Sequence, residues 1–362
     1  MRCYKGRRRG WRPPVDCCCH LCSPPVCAPS KMTIQEQICK WVWIGWNYLL
    51  LYLLGAWYML KELCQSHRAP SGITNQKGRV AVVTGGSRGI GLETVRQFLQ
   101  LEMTVVIGGR DVNSLEEAVS RLRQEGVKTG ATKCLELDLC SLASVRRFAK
   151  EFTDLGLPLH VLVNNAGIMF WPWMVTEDGH EHHWAVNYLG HFLLSHLLAP
   201  HLVKSTSKDS PSRIVSLSSS VHYIGAINFS DIKNEKHYNP HKAYAQSKLA
   251  QLMFTITLNE RMTKQGVLAL AVHPGVVATE LFQHVLWAKT FPKIASTFLK
   301  TPSQGSDTVV HVALSHELKE GGQYYENCCP TRPAAAALKS DDRNRLWDLT
   351  CHQLGIQEFG KA

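Results

Sequence analysis

Residues 80–91 decide the fold, and they read Val80-Ala81-Val82-Val83-Thr84-Gly85-Gly86-Ser87-Arg88-Gly89-Ile90-Gly91. The first five residues are apolar or β-branched, which is typical of a strand that is buried on both faces. Glycines in the following turn allow an anion to approach the backbone, and a helix beginning there supplies free N–H groups. The spacing is G-x-x-x-G-x-G, and between a strand and a helix it favours dinucleotide binding over a plain turn.

The same alternation of short apolar runs and longer helical stretches continues along the chain. Strands are predicted at residues 80–84, 104–108, 132–138, 159–164, 213–218 and 268–273, with a short strand near 322–326 that closes the sheet edge. Helices are predicted at residues 92–101, 114–125, 142–152, 184–202 and 244–265. This order indicates an α/β fold with a doubly wound parallel sheet, formed by one domain over residues 77–350 and followed by a tail at 351–362.

The positive charge of the chain is unevenly distributed. The 362 residues carry a formal net charge of +11, of which +6 lies in residues 1–31 and +5 in the other 331. The length is sufficient for one large domain or two small ones with a buried core. Because the excess over the folded part is mild, we expect no nucleic-acid partner.

The cysteines are concentrated near the amino terminus, where eight of the thirteen lie at or before Cys64. The remaining scattered five are not typical of a secreted disulfide framework and favour a reducing compartment. Cys19 and Cys22 have the spacing of half a zinc site, but no second half follows, so we expect no metal. Residues 1–40 are predicted to be a disordered leader, which is either acylated near a membrane or shortened by translation starting at Met32.

Residues 41–60 form a run of twenty residues whose only clearly polar member is Asn47. Twenty helical residues rise about 30 Å, which matches the hydrocarbon core of a bilayer. The run predicts a transmembrane or signal-anchor helix, with a cleaved signal peptide and secretion, or a buried core helix, as alternatives. Four basic residues follow the run closely and favour a cytosolic location for the main domain: Lys61, Arg68, Lys77 and Arg79. The more distant Arg7-Arg8-Arg9 cluster, on the amino side of the run, favours the opposite orientation.

Residues at the strand ends outline the rest of a dinucleotide site. Arg110 follows the second strand, where an acidic residue would bind the ribose of NAD, so Arg110 and Arg88 favour the 2′-phosphate of NADP(H). The neighbouring Asp111 keeps NAD(H) as an alternative. Asp138-Leu139 closes the third strand, where it would contact the adenine ring, and the small residues of Asn164-Asn165-Ala166-Gly167 let the backbone lie against the cofactor.

Two Tyr-x-x-x-Lys pairs lie close together in the sequence, Tyr238/Lys242 and Tyr244/Lys248. Residues four apart on a helix share a face, and a nearby ammonium lowers the pKa of a phenol, which then serves as an acid or base. Pro240 disfavours helix at the residue before it and so separates the first pair. We therefore predict that the second pair, inside an uninterrupted helical pattern, carries the chemistry.

Polar residues elsewhere have both a functional and a structural interpretation. Ser218-Ser219-Ser220 follows the fifth strand at its carboxyl end, so one hydroxyl would hold a substrate oxygen, or the loop caps itself. Asn187 lies among apolar neighbours and is either a relay or a satisfied core residue. The three histidines His180, His182 and His183 are interpreted as a polar helix start rather than a metal site.

Apolar residues follow two of the strand ends. They predict a cover over the nicotinamide that suits a long lipid entering from a membrane, with ordinary core packing as the alternative. The residues are Phe170, Trp171, Trp173, Met174, Leu281, Phe282, Val285, Leu286, Trp287, Phe291 and Phe298.

Taken together, these motifs resemble the short-chain dehydrogenase/reductases, in particular their membrane-bound retinol-dehydrogenase-like branch. The matching set lies within residues 78–330 and consists of Thr84–Gly91, Asn164–Gly167, Asn187, Ser219, Tyr244/Lys248 and Pro274-Gly275. The resemblance implies a Rossmann-type sheet and an NAD(P)-dependent oxidoreductase acting on CH–OH groups. It implies an apolar lipid substrate, first a polyprenol or polyprenal; the alternatives are retinol or retinal, general carbonyl compounds, or a cofactor-binding regulator without turnover.

The resemblance also implies roles for single residues. Tyr244 would be the general acid/base, Lys248 would lower its pKa and hold the nicotinamide ribose, and Ser219 would orient the substrate oxygen. Asn187 would position a water beside Lys248, and Thr279 would bind the nicotinamide amide. The implied location is the endoplasmic reticulum membrane or a lipid droplet. The implied cofactor set is Gly85, Ser87, Arg88, Gly89, Ile90, Gly91, Arg110, Asp138, Leu139, Asn165, Ala166, Gly167, Tyr244, Lys248, Pro274, Gly275, Val277 and Thr279.

Overall fold

A computed structural model describes residues 42, 45, 49, 52–62, 64–236, 238–279 and 299–361 of the chain. The predicted leader at 1–40 and the apolar residues predicted between 281 and 298 lie outside the described residues, as does much of the predicted membrane helix at 41–60. Within the described part of the chain, no helix is both long and apolar enough to cross a membrane. The chain divides into two units, Met1–Trp46 and Asn47–Ala362, and the second unit holds the whole sheet.

Eight strands form one sheet in the order β3-β2-β1-β4-β5-β6-β7-β8. The first seven are parallel and β8 is antiparallel to β7, which confirms the doubly wound α/β fold. The reversal of strand order between β1 and β4 opens a crevice at their carboxyl ends, where such sheets bind ligands. The strands are β1 Val80–Thr84, β2 Thr104–Gly109, β3 Ala131–Glu136, β4 Val161–Asn164, β5 Ser212–Leu217, β6 Val267–His273, β7 Tyr324–Glu326 and β8 Cys329–Thr331.

The prediction that the strand near 322–326 closes the sheet is wrong, because β8 pairs with its outer side. A three-residue strand that contains Pro330 carries no alternating apolar pattern, so the sequence offered no signal for it.

Helices cover both faces of the sheet. The described helices are α1 (residues 52–62), α2 Gly89–Gln100, α3 Val112–Gln124, α4 Leu142–Asp154, α5 His182–Trp184, α6 Gly190–Ser205, α7 Pro240–Met262, α8 Pro302–Leu314, α9 Ala335–Leu338 and α10 Ser340–Leu354. The helix predicted at 184–202 is interrupted at its start, since a π-helix at Ala185–Leu189 joins α5 to α6.

Each face of the sheet has its own hydrophobic core. On one face, Phe148 of α4, Phe192 of α6 and Phe254 of α7 are fully or almost fully buried in a single cluster. On the other face, Phe98 of α2 and Val309 of α8 pack on the alternate residues of the strands. Strands buried on both sides explain the continuous apolar runs in the sequence.

The carboxyl-terminal residues belong to this core rather than to a tail. Helix α10 runs past the predicted domain end at residue 350 to Leu354. The ring of Phe359 then packs 5.4 Å from that of Phe192 and 5.0 Å from that of Trp347. The N–H of Gly360 donates to Nδ1 of His196 at 2.9 Å. The predicted boundary therefore lies inside a helix, and the domain extends through these residues.

Candidate active site

The turn between β1 and α2 has the geometry of an anion cradle. Gly85 and Gly89 have φ of 70° and 57°, in the left-handed region that favours glycine. A Cβ atom on Gly91 would lie 2.2 Å from the carbonyl oxygen of Gly85, so any side chain there would fill the turn. Arg88 is the N-cap of α2 and its side chain makes no cap hydrogen bond. A pyrophosphate fits such a glycine turn at a helix N-terminus.

Arg110 and Asp138 lie near each other, after the carboxyl ends of β2 and β3. Both act electrostatically on Cys140 and on His182, which places the ends of β2 and β3 in one neighbourhood. Asp138 accepts the backbone N–H of Cys140 at 2.9 Å. The Arg110 side chain is exposed, and an exposed guanidinium suits a phosphate group of a cofactor.

Asn165 holds the glycine turn in place from the end of β4. Its Nδ2 donates to the carbonyl oxygens of Thr84 and Gly85 at 2.7 and 3.2 Å. The backbone N–H groups of Asn165 and Ala166 donate to Oγ1 of Thr84 at 2.9 and 3.0 Å. In the loop at Asn164–Gly167, predicted to lie against a cofactor, the side-chain amide of Asn165 thus holds the glycine turn in place.

Tyr244 and Lys248 lie one turn apart on α7 and face the end of β5. The hydroxyl of Ser219, two residues beyond the end of β5, is close enough to the phenol of Tyr244 to lower its pKa by hydrogen bonding. The Lys248 ammonium donates to the carbonyl oxygen of Leu217 at 2.8 Å and lies 5.9 Å from the centre of the Tyr244 ring. The structure therefore brings the serine, the tyrosine and the lysine to one point.

Burial governs the acidity of this pair. It raises the pKa of Tyr244 to about 12, although the hydrogen bond with Ser219 offsets part of the rise. It lowers the pKa of Lys248 to about 8. Burial is the largest contribution to the rise at Tyr244, and the effect of Lys248 on the acidity of that phenol stays a prediction.

Asn187 lies in the π-helix and connects three elements. Its Oδ1 accepts the N–H of Ile168 at 2.9 Å, and its Nδ2 donates to the Ile168 carbonyl at 3.0 Å and to Oγ of Ser247 at 2.9 Å. Protein groups therefore occupy its amide, and the water-holding role implied above stays a prediction. A π-helix widens the backbone ladder and is frequent at functional sites.

The loop after β4 places an aromatic wall beside Tyr244. Phe170 has a φ of 56°, and its ring meets that of Tyr244 edge-on at 5.5 Å. It meets the ring of His241 at 4.1 Å on its other side. Trp173 and Met174, also predicted to cover the site, are each 47% exposed. Among the described residues of the predicted cover, Phe170 thus contacts Tyr244, whereas Trp173 and Met174 expose about half of their surface to solvent.

Three polar side chains that sequence reasoning did not select hold this loop. His183 accepts the N–H of Trp171 at Nε2 (3.1 Å), and its Nδ1 lies 2.9 Å from a carboxylate oxygen of Glu181. Tyr238 donates its hydroxyl hydrogen to the carbonyl oxygen of Trp171 at 2.6 Å. Glu181 and His183 are buried, so the loop that carries Phe170 is fixed by charge-assisted bonds. A buried Glu-x-His pair has no sequence pattern that distinguishes it from a polar helix start.

The loop after β6 reaches the cradle from the other side. Thr279 Cγ2 lies 3.3 Å from where a Cβ on Gly89 would be. Val277 packs against Gly305 of α8, where an added Cβ would lie 2.7 Å from the Val277 side chain. Pro274 is buried at the start of this loop. The loop is therefore a wall of the cradle, and its contact with a nicotinamide stays a prediction.

A sequence profile described as short chain dehydrogenase matches residues 79–289. A polyprenol dehydrogenase of Mus musculus is 41% identical over 309 residues, which cover 83% of this chain and 91% of that protein. Retinol dehydrogenase 12 of Bos taurus is 41% identical over 281 residues, which cover 77% of this chain and 87% of that protein.

Among solved structures, an uncharacterized protein from Mycobacterium paratuberculosis is similar with a TM-score of 0.65 and 30% identity. The match covers 80% of this chain and 98% of that one. The mouse relative and this solved structure therefore each match a larger share of the chain than the profile does.

Proposed function

The chain belongs to the short-chain dehydrogenase/reductase family, in its retinol-dehydrogenase-like branch, and we propose that it transfers a hydride between NADP(H) and a long-chain lipid alcohol or aldehyde, first a polyprenol or polyprenal. It is an NAD(P)-dependent oxidoreductase that acts on CH–OH groups. The observation that carries the proposal is the meeting of Ser219, Tyr244 and Lys248 beside the aromatic wall of Phe170.

Ser219 and Tyr244 are placed to act on a substrate oxygen. When bound, the nicotinamide supplies or accepts the hydride. During reduction Tyr244 gives its proton to the carbonyl oxygen while Ser219 holds that oxygen, and during oxidation Tyr244 takes the proton back. Because the pKa of Tyr244 is raised to about 12, the phenol is protonated at neutral pH. This state suits a proton donor and therefore supports aldehyde reduction.

Lys248 is placed to stabilise the phenolate that proton donation leaves on Tyr244. With a pKa lowered to about 8, its amine is still mostly protonated at pH 7. Its charge then acts in a buried site, where electrostatic attraction is stronger than in water.

An apolar substrate agrees with the surroundings of this site. Phe170 forms a wall against Tyr244, and Trp173, Met174 and Val175 expose apolar surface on the same loop. The names of the mouse and bovine relatives also refer to isoprenoid alcohols. A long apolar chain gains free energy by covering such side chains.

The substrate proposal is tested with microsomes from cells that express the full chain. NADPH or NADH is supplied with polyprenal, with retinal or with a small aldehyde, and Tyr244→Phe microsomes serve as the control. We expect polyprenal to be reduced with a kcat/KM at least about tenfold above that of retinal, a difference of ~1.4 kcal/mol. A preference for retinal would establish the retinol-type alternative instead, and absence of turnover in a cofactor-bound protein would indicate the non-catalytic regulator.

The cofactor proposal rests on the exposed cations Arg88 and Arg110 near the cradle. Arg110→Ala should weaken NADPH binding by about tenfold, because a charge-assisted hydrogen bond to phosphate contributes ~1.5–3 kcal/mol. NADH binding should change by less than about twofold, since that cofactor has no 2′-phosphate. Lys77→Ala is a suitable control, because Lys77 is 83% exposed and precedes the amino-terminal end of β1, whereas Arg110 follows the carboxyl end of β2. Equal weakening of both cofactors would contradict the phosphate role.

The membrane proposal concerns the amino-terminal region. Helix α1 exposes Tyr52, Leu53, Trp57 and Leu60, which supports contact with lipid. We expect the full chain to resist extraction from microsomes at alkaline pH. The sequon Asn228-Phe229-Ser230 has an exposed asparagine, and it should stay unglycosylated if the domain faces the cytosol. Glycosylation at Asn228 would place the domain in the lumen.

A further inference from the structure

Helix α1 lies before the part of the chain that matches the family profile, yet it bonds to the wall of the cofactor cradle. Three of its side chains contact the domain, those of Tyr58, Lys61 and Glu62. Their spacing of three and four residues places them on one helix face.

The first two of these side chains fix α1 to the ends of β6 and β7. Tyr58 donates to Oε1 of Glu326 at 2.9 Å, and Lys61 pairs with the other oxygen of that carboxylate. The Tyr58 ring also meets the ring of His273, the last residue of β6, edge-on at 5.3 Å. Since Glu326 is almost completely buried, these bonds are shielded from water and hold the end of α1 firmly.

Glu62 continues this contact to the loop after β6. Both of its carboxylate oxygens accept the backbone N–H of Val276, at 3.0 and 3.2 Å. Lys300 places its ammonium 3.9 Å from the same carboxylate, and both side chains are largely buried. Gly275 has a φ of 96°, and an added Cβ would lie 2.6 Å from a Glu62 oxygen, so the loop approaches α1 as closely as a glycine permits.

The bond at Val276 determines where the following residues lie. The N–H of Lys300 donates to the Val276 carbonyl and the N–H of Ala278 donates to the Lys300 carbonyl, each at 2.9 Å. Val277, which lies between Val276 and Ala278, packs against Gly305. Thr279 lies against Gly89 of the cradle. A shift of Val276 would therefore move the wall of the cradle.

We propose that Glu62 is a positioning residue for the cofactor site: through Val276 it sets residues 276–279 against the glycine turn. The inference rests on the proposed function in that this loop borders a bound nicotinamide dinucleotide. It goes further in making α1 a part of the site, because the contact of α1 with Val276 completes one wall of the cofactor pocket.

The test compares Glu62→Ala, Glu62→Gln and Leu60→Ala in the full chain. Leu60 is exposed on the same helix and controls for a general effect of altering α1. NADPH affinity is measured by fluorescence titration without substrate, and amide hydrogen exchange is measured in the peptide covering residues 274–279. We expect Glu62→Ala to weaken NADPH binding by about tenfold and to speed exchange in that peptide, because the Val276 N–H loses its acceptor. Glu62→Gln keeps an acceptor oxygen and should stay within about threefold of the wild type.

Steady-state kinetics separate positioning from general damage. Glu62→Ala should raise the KM for NADPH with little change in kcat, since Ser219 and Tyr244 are held by other elements. The inference is overturned if Glu62→Ala binds NADPH as the wild type does, or if Leu60→Ala weakens binding equally. Should Glu62→Ala fail to fold, Lys300→Met decides, because it removes the cation paired with the Glu62 carboxylate. Unchanged exchange at 274–279 and unchanged NADPH affinity in that variant overturn the inference. If the wild type binds neither NADPH nor NADH, the proposed function fails, while exchange at 274–279 still tests the contact.

Discussion

The two Tyr-x-x-x-Lys pairs of this protein share a sequence pattern and differ in almost everything else. Tyr244 and Lys248 both lie inside α7, where they face the end of β5. Tyr238 lies before the helix begins, and its hydroxyl is bonded to the loop that carries the aromatic wall. Identical spacing thus places the phenol of Tyr244 beside Ser219 and the phenol of Tyr238 against the loop that carries Trp171.

Pro240 and Asn239 account for the difference. Pro240 is the first residue of α7, which its fixed φ favours, and Asn239 caps the helix by accepting the N–H groups of His241 and Lys242. The cap breaks the helical register between Tyr238 and Lys242, as the proline predicts. The lesson is that a four-residue spacing has chemical meaning only where the intervening backbone is helical.

Among these substitutions, Tyr244→Phe should have the largest effect on turnover. Loss of the proton donor should lower kcat by about a thousandfold or more, the upper range for general acid catalysis. NADPH affinity should stay within about twofold, because the ring keeps its packing. Fluorescence titration and turnover on the same preparation check both statements, and loss of cofactor binding would show that the variant is misfolded or that Tyr244 has another role.

Lys248→Met should lower activity and, at pH 7, raise the free energy of unfolding. Activity should fall by about a hundredfold, since the phenolate loses its buried cation. Burial lowers the pKa of Lys248 to about 8, whereas the unfolded chain keeps its proton up to about pH 10.5. The stability of the wild type therefore rises with pH between these values, and at pH 7 the Met variant should be the more stable protein.

This advantage should diminish as the pH rises from 8 towards 10.5. Urea unfolding of both proteins at pH 7 and pH 10 measures it. A Met variant that is less stable at both pH values would contradict the penalty for burying the ammonium.

Tyr238→Phe should leave the chemical step intact. Removing the hydroxyl deletes a hydrogen bond to Trp171, which contributes ~1 kcal/mol to holding the aromatic wall. We expect the KM for a long-chain aldehyde to rise about threefold to fivefold at unchanged kcat. A kcat as low as that of Tyr244→Phe would mean that the first pair, not the second, performs the proton transfer.

Asn239→Ala should have the smallest effect, and one confined to stability. Loss of the cap should lower the free energy of unfolding by ~1 kcal/mol, a decrease of a few degrees in Tm. Asn239→Asp keeps an accepting oxygen and should remain close to the wild type. A kinetic defect in Asn239→Ala that exceeds the loss in Tm would link the cap directly to the site.

Most of the fold and the core of the site could be predicted from local patterns. The apolar runs of β1, β2 and β6 and the glycine turn before α2 were located within about two residues, because strands buried on both faces leave continuous signals. The edge strand β8 and the packing of Phe359 were missed, since three-residue elements and late aromatic residues carry no periodicity.

Local sequence patterns were sufficient to predict most strands and helices along the chain, the position of the glycine turn, and a helical backbone around Tyr244 but not around Tyr238. These features depend on residues near one another in the chain, where propensity, proline and spacing act directly. The direction of the pKa shift at Tyr244 and the partners of Asn165 became known from the folded structure, because burial and hydrogen bonding depend on elements distant in sequence. The bond between Glu62 and Val276 spans 214 residues of sequence, and only folding brings that carboxylate to the wall of the cradle.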